Sequence, residues 1–277
     1  MSAAGSVIHK VSGIRYFMCY FVMALILISA LPSKAQSSDG PRTIVTTDGE
    51  VDDMDSFIRL LLYANDLNLE GLVYSSSMWH YAGDGKGTLF TSEMQWTKGM
   101  YGERTDLRWC GTTWMQELIS EYAKVYQDLV QHDPAYPTPE YLQGIVRVGN
   151  IDFEGEMEKV TEGSEFIKNI LLDNNDEPVY VQVWGGTNTL ARALKSIEEE
   201  YKGRPGWDEV YRKVSSKTFI YIILDQDATY RKYIEPNWPQ IRTIYNAMQF
   251  WSFAYSWPAT VPASQRKYLQ GAWMAEN

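Results

Sequence analysis

Five carboxylates, Asp48, Glu50, Asp52, Asp53 and Asp55, fall within eight residues directly after a β-branched run at 43–47. Acids packed this closely repel one another, and their pKa values rise unless a cation sits among them. A hard cation with oxygen ligands, calcium above all, is the natural occupant. Such an ion chelates sugar hydroxyls and acidifies a bound water, while a neighbouring carboxylate such as Asp48 takes the water proton. An anionic, oxygen-rich pocket also suits an oxocarbenium-like transition state, which points to hydrolysis of a glycosidic bond. Helix capping accounts for one or two of the acids but not for all five. An EF-hand starting at Asp48 requires Gly at its sixth position and Glu at its twelfth, where this chain has Asp53 and Arg59. A phosphotransferase loop with an aspartate nucleophile stays open, although Glu50 stands where a second Asp would be expected.

The elements around the loop must hold it at a strand end. Residues 43–47 read as a strand, 56–64 carry Phe57, Leu60, Leu61 and Ala64 at helical spacing, and 69–75 read as a second strand. This order is a βαβ unit with parallel strands and a right-handed crossover. A cation after the first strand then lies where α/β sheets place their ligands. The stretch 78–141 is rich in Trp, Tyr and Gly, with one helix predicted at 114–129. A second α/β stretch follows: a helix at 163–172, a strand at 179–184, a helix from 189 to about 201, a strand at 218–224 and another at 241–245. The fold class expected is α/β, a mainly parallel open sheet flanked by helices.

Residues 1–35 are of another kind. His9, Lys10 and Arg15 precede an apolar run at 16–31, and Ser33 and Ala35 are small residues before a cut. This is the layout of a secretory signal peptide, and the run is shorter than the roughly 20 residues a membrane span requires. Residues 36–42 read as a linker and 43–277 as the folded domain. Cleavage removes three of the 25 basic residues and none of the 35 acidic ones, leaving 22 against 35 and a net charge of −13. An exported, periplasmic or extracellular protein so acidic is a poor partner for nucleic acid or anionic membranes. Only Cys110 remains after cleavage, so no internal disulfide forms.

The loop Thr46-Thr47-Asp48-Gly49-Glu50-Val51-Asp52-Asp53 resembles the first-strand loop of the calcium-dependent nucleoside hydrolases, D-x-D-P-G-x-D-D, and keeps three of its four acids. The turn Val183-Trp184-Gly185-Gly186-Thr187-Asn188-Thr189-Leu190-Ala191 is similar to that family's strand-to-helix turn. This turn, together with Asp225-Gln226-Asp227, also resembles an exported bacterial family described as cellulose-binding with a nucleoside-hydrolase-like domain, from about Arg42 onward. The resemblance implies a nucleoside-hydrolase-like (Rossmann-like) core and a riboside or other carbohydrate as partner. It casts Asp48 as base and metal ligand, Asp53 as bidentate ligand and the Trp184 carbonyl as a further calcium ligand. Asp52, His80, Asn188 and Asp227 become the substrate-side residues. The family's C-terminal Asp beside a His has no counterpart here, so the chain is expected to be a truncated member with an incomplete metal shell, for which Asp225 and Asp227 are the nearest candidate substitutes. The implied activity is calcium-dependent hydrolysis of N-glycosyl bonds, and the alternative is a non-catalytic carbohydrate-binding protein. Trp79, Tyr81 and Trp184 flank the site as candidate sugar-stacking rings, whereas His132 reads as solvated.

Overall fold

The structure, a computed structural model, describes residues 40–248 and 260–276; the signal-peptide reading of 1–35 lies outside the described residues. Strand β1 (Arg42–Thr47) is buried at every position, as a central strand must be. Its side chains alternate between faces, Ile44 entering one core and Val45 the other. β2 (Asn68–Tyr74) divides in the same way, with Val73 in the first core and Leu72 and Tyr74 in the second. Two short strands, β3 (Phe90–Thr91) and β4 (Glu103–Arg104), pair antiparallel outside the main sheet. β5 (Val146–Val148), β6 (Val179–Val183), β7 (Thr218–Ile223) and β8 (Arg242–Asn246) complete a six-stranded sheet. Its order is β5-β2-β1-β6-β7-β8, and every pairing is parallel.

Helices cover both faces. α1 (Val51–Leu62) follows β1 directly and buries Asp53, Phe57 and Leu61, positions four residues apart on one stripe. α2 (Gln95–Tyr101) belongs to the segment around the short hairpin. α3 (Trp114–His132) and α4 (Pro139–Gly144) join α1 on the core that holds Val45, with Met115, Ile119 and Leu142 fully buried. α5 (Glu162–Leu172), α6 (Asn188–Tyr201) and α7 (Trp207–Lys217) pack on the other core through Ile167, Leu171, Leu194, Ile197 and Val214. At α5 the Thr161 hydroxyl accepts the Ser164 N–H at 3.1 Å, and the Ser164 hydroxyl accepts the Thr161 N–H at 2.9 Å, a reciprocal cap.

Two boundaries move from the sequence reading. Arg42 belongs to β1 rather than to a linker: its guanidinium, 3% exposed, binds Glu70 at 2.7 Å and Asp173 at 2.5 Å, and Lys217 joins Asp173 at 2.7 Å. α1 begins at Val51, five residues before the predicted start, because carboxylates in a first helical turn face the exposed N–H groups and complement the dipole. Each predicted strand and helix is present within a few residues, while β3, α2, β4, α4, β5 and α7 went unpredicted. The chain runs out from β1 to one edge and then back past β1 to the other, so β1 and β6 flank the point where the winding reverses. The crevice outside their carboxyl ends is where such sheets hold ligands.

Candidate functional site

β1 ends at Thr47, and its hydroxyl organises the turn that follows. Thr47 Oγ1 accepts the Gly49 N–H at 3.1 Å and donates to Asp53 Oδ2 at 2.5 Å, tying the first turn of α1 back to the strand. Gly49 has φ of +77°, and a Cβ there would lie 2.3 Å from Cys110 Sγ and 2.9 Å from Trp114 Nε1, so only glycine fits. Asp48 is thereby turned inward and is 1% exposed.

The segment after β2 supplies a partner. Ser77 Oγ accepts the N–H groups of Trp79 (2.9 Å) and His80 (3.3 Å), and the Ser77 N–H donates to the His80 carbonyl at 2.9 Å. This tight turn sets His80 Nδ1 3.4 Å from Asp48 Oδ2. Neither atom makes a hydrogen bond of good geometry, so the contact is electrostatic and attractive when His80 is protonated. From the other side, a Cβ on Gly185 would lie 2.8 Å from Asp48 Cβ, so the backbone after β6 closes directly on the carboxylate.

The acids do not titrate alike. Burial pushes Asp48 up, but contact with His80, the charge of His80 and hydrogen bonding from Asp53 and Ser77 outweigh it and hold the group below the usual carboxylate range. Asp53 is driven well above that range by burial, by the charge of Asp48 and by the proton it shares with Asp48. Burial first, and then the charge of Asp48, also raises Glu50 and Asp52. The neighbouring carboxylates are thus pushed in opposite directions, Asp48 down and Asp53 up.

Not all of the expected residues converge here. Asp48, Asp53, Asp52 and His80 do. The Trp184 carbonyl lies at the same strand ends but accepts the Gln226 amide at 2.6 Å, and Trp184 is part of the core beside Val45. Asn188 and Asp227, read from the sequence as substrate contacts, are hydrogen-bonded within the protein. Asn188, fully buried, donates its amide to Ser76 Oγ (2.9 Å) and to the carbonyls of Asn150 (2.9 Å) and Glu156 (3.1 Å). Asp227 accepts the Asn188 N–H at 2.8 Å and the Thr229 N–H and hydroxyl at 3.0 and 2.8 Å. Its carboxyl is pushed up to about 6 by burial, against the pull of those Thr229 hydrogen bonds. Asp225 pairs with Arg231 at 2.8 Å. Tyr81 is 1% exposed and packs against Phe90 and Phe153, so it offers no ring to a sugar. His132 ends α3 and is exposed, as expected.

Gln226 is the residue that sequence reasoning missed. Its side chain joins the Trp184 and Ile223 carbonyls, and its own carbonyl accepts the Met78 N–H at 2.8 Å, so one residue links the ends of β2, β6 and β7. The only signal was its place between two acids, and the acids drew the attention.

Among the described residues no three His, Cys, Asp or Glu side chains form a ready set of metal ligands. The oxygen chemistry nonetheless fits a hard cation. Asp48 Oδ2 and Asp52 Oδ1 are buried without hydrogen-bond partners, and a carbonyl such as that of Trp184 keeps a second lone pair.

A parallel sheet of this strand order, with an acidic loop at its reversal point, is the architecture of a nucleoside-hydrolase-like α/β domain. Residues 42–277 match the family described as cellulose-binding Sde182, nucleoside hydrolase-like domain, and the chain belongs to that family. A solved structure of similar fold is a nucleoside hydrolase-related hypothetical protein from Saccharophagus degradans that is associated with carbohydrate metabolism. The two share 26% identity and a TM-score of 0.56, over 73% of this chain and 43% of that one. The match thus spans less than half the length of that protein. No curated protein matches the chain.

Proposed function

We propose that the crevice binds a riboside or related sugar and hydrolyses its N-glycosyl or glycosidic bond, with Asp48 as the general base. The observation that carries this reading is the cluster at one buried strand end, where Asp48, 1% exposed and with Oδ2 lacking a hydrogen-bond partner, lies beside Asp52, Asp53 and the His80 ring 3.4 Å away. A base must be deprotonated at working pH, and Asp48 is so by virtue of His80 and Ser77. Asp48 takes the proton of the attacking water. His80 fixes the orientation of that carboxylate, and Asp52, half-buried with a free oxygen, faces the sugar hydroxyls. Asp48, Asp53 and the Trp184 carbonyl would hold calcium. When bound, the ion supplies charge for water activation and chelation of hydroxyls. The signal-peptide pattern of residues 1–35 supports action outside the cytoplasm.

A second reading, carbohydrate binding without turnover, is favoured by one observation. Thr46 stands where the hydrolase pattern has its first acid, and its hydroxyl is buried without a partner. Calorimetric melting with and without calcium, and hydrolysis of p-nitrophenyl riboside, separate the two. Under the hydrolase reading calcium raises the melting temperature of the wild type but not of Asp53→Ala, and Asp48→Asn loses about 10²- to 10⁴-fold in rate. A calcium response with no turnover leaves the binding reading. Neither response disposes of the acidic crevice as a site.

A further inference from the structure

Two tryptophans stand beside the crevice without serving either core. Trp79 immediately precedes His80, whose ring meets Asp48, and Trp96 lies in α2 with 63% of its surface exposed. Their ring centroids are 6.2 Å apart and the planes are inclined at 51°. A third ring stacked between them at carbon contact distances of about 3.5–4.0 Å on each side would require at least about 7 Å. The pair is therefore a bent platform with an outer face, not a slot.

The platform is held firmly. The segment bearing Trp96 is pinned by the Ser92–Thr97 hydroxyl contact at 2.5 Å, by Thr97, 1% exposed, and by the stacked rings of Phe90 and Phe153 at 5.0 Å. Trp79 is fixed through the bond from its N–H to Ser77 Oγ. Met100, 62% exposed and one turn beyond Trp96, extends the apolar strip. Keeping so much apolar surface in water on an anchored element marks a binding surface.

We propose that Trp79 and Trp96 form a stacking subsite for a pyranose ring of a neutral glycan, placed so that the chain continues past His80 to the Asp48 crevice. This rests on the carbohydrate reading given above and adds to it where the polymer lies. The flat C–H face of a sugar meets the indoles, while its equatorial hydroxyls stay in water or turn to the acids next door. Net charge selects among glycans: at −10 over the whole chain, and with Glu50, Asp52 and Asp48 at the crevice, uronic-acid polymers are repelled.

The test is titration calorimetry of the full chain with cellohexaose and with a galacturonic-acid hexamer, on wild type, Trp96→Ala, Trp96→Phe, Trp79→Ala and Asp48→Asn. Cellohexaose is expected to bind the wild type, to bind each alanine variant about tenfold more weakly, and to recover most of its affinity in Trp96→Phe. The anionic hexamer is expected to bind at least about tenfold more weakly than cellohexaose. Equal affinity in Trp96→Ala and wild type, preference for the acidic hexamer, or no cellohexaose binding by the wild type overturns the proposal. The two readings fail separately: cellohexaose binding that survives Asp48→Asn but falls in Trp96→Ala upholds the platform even if no riboside is hydrolysed.

Discussion

Replacing Glu154 by Gln measures what one buried carboxyl costs this fold. Glu154 follows β5, is 6% exposed, and has no hydrogen bond of good geometry to either carboxyl oxygen. Burial raises its pKa from 4.5 to about 7; Ser92 and the Met94 N–H pull it down, while the charges of Asp227 and Glu93 push it up further. The folded state holds this proton more tightly than the unfolded chain does. The stability the protonated acid contributes is thus complete below pH 4.5 and is lost as the pH rises through about 7. At 1.36 kcal/mol per pH unit, the loss amounts to about 3 kcal/mol by pH 8. The amide of Glu154→Gln stands in for the neutral acid and does not titrate. The stability difference between variant and wild type should therefore grow by about 3 kcal/mol, variant favoured, between pH 4.5 and pH 8. For a domain of this size that corresponds to a melting temperature about 6–12 °C higher relative to wild type at the alkaline end. Scanning calorimetry of both proteins across that range reads it directly, and the difference curve cancels groups common to both. A difference that stays flat with pH would refute the reasoning, because it would mean that Glu154 reaches water or a cation when ionised.

Two further substitutions probe the frame of the site. Gly186→Ala would place a Cβ 2.4 Å from both Asp227 Oδ2 and the Ser76 carbonyl, and should cost about 1–3 kcal/mol in urea denaturation; an unchanged midpoint would contradict that packing. Arg42→Ala removes the cation between Glu70 and Asp173 at the foot of β1, leaving Glu70 the Asn68 amide and Asp173 the Lys217 ammonium and the Asn175 N–H. A loss of about 3–5 kcal/mol is expected, and a loss under about 1 kcal/mol would show the network to be solvated.

The parallel sheet was legible because β1, β6 and β7 carry apolar side chains on two faces and are separated by helices of plain periodicity. β5 has only three residues, too few for a pattern to show, and the Trp207, Val210, Tyr211 and Val214 spacing of α7 was present but unread. At the crevice, the density of acids after β1 pointed to Asp48 and Asp53, and the strand-end position of His80 pointed to a residue that the fold sets beside them. Asn188, Asp227 and Gln226 show the limit of such reading. A sequence reveals that a side chain can hydrogen-bond, but not that the ends of other strands have already taken its capacity.

The carboxylate of Asp227 on the Asn188 N–H has a consequence for what the protein accepts. In other doubly wound sheets the first turn of the helix after the reversal point is where a phosphate docks, drawn by unpaired N–H groups and the positive end of the dipole. Here an internal anion already fills that berth at the start of α6. A sugar phosphate or nucleotide arriving at the crevice meets a row of acids and a helix end that is already neutralised. The fold has kept the geometry of a nucleotide-binding crossover while filling its anion berth from within, with a side chain of its own.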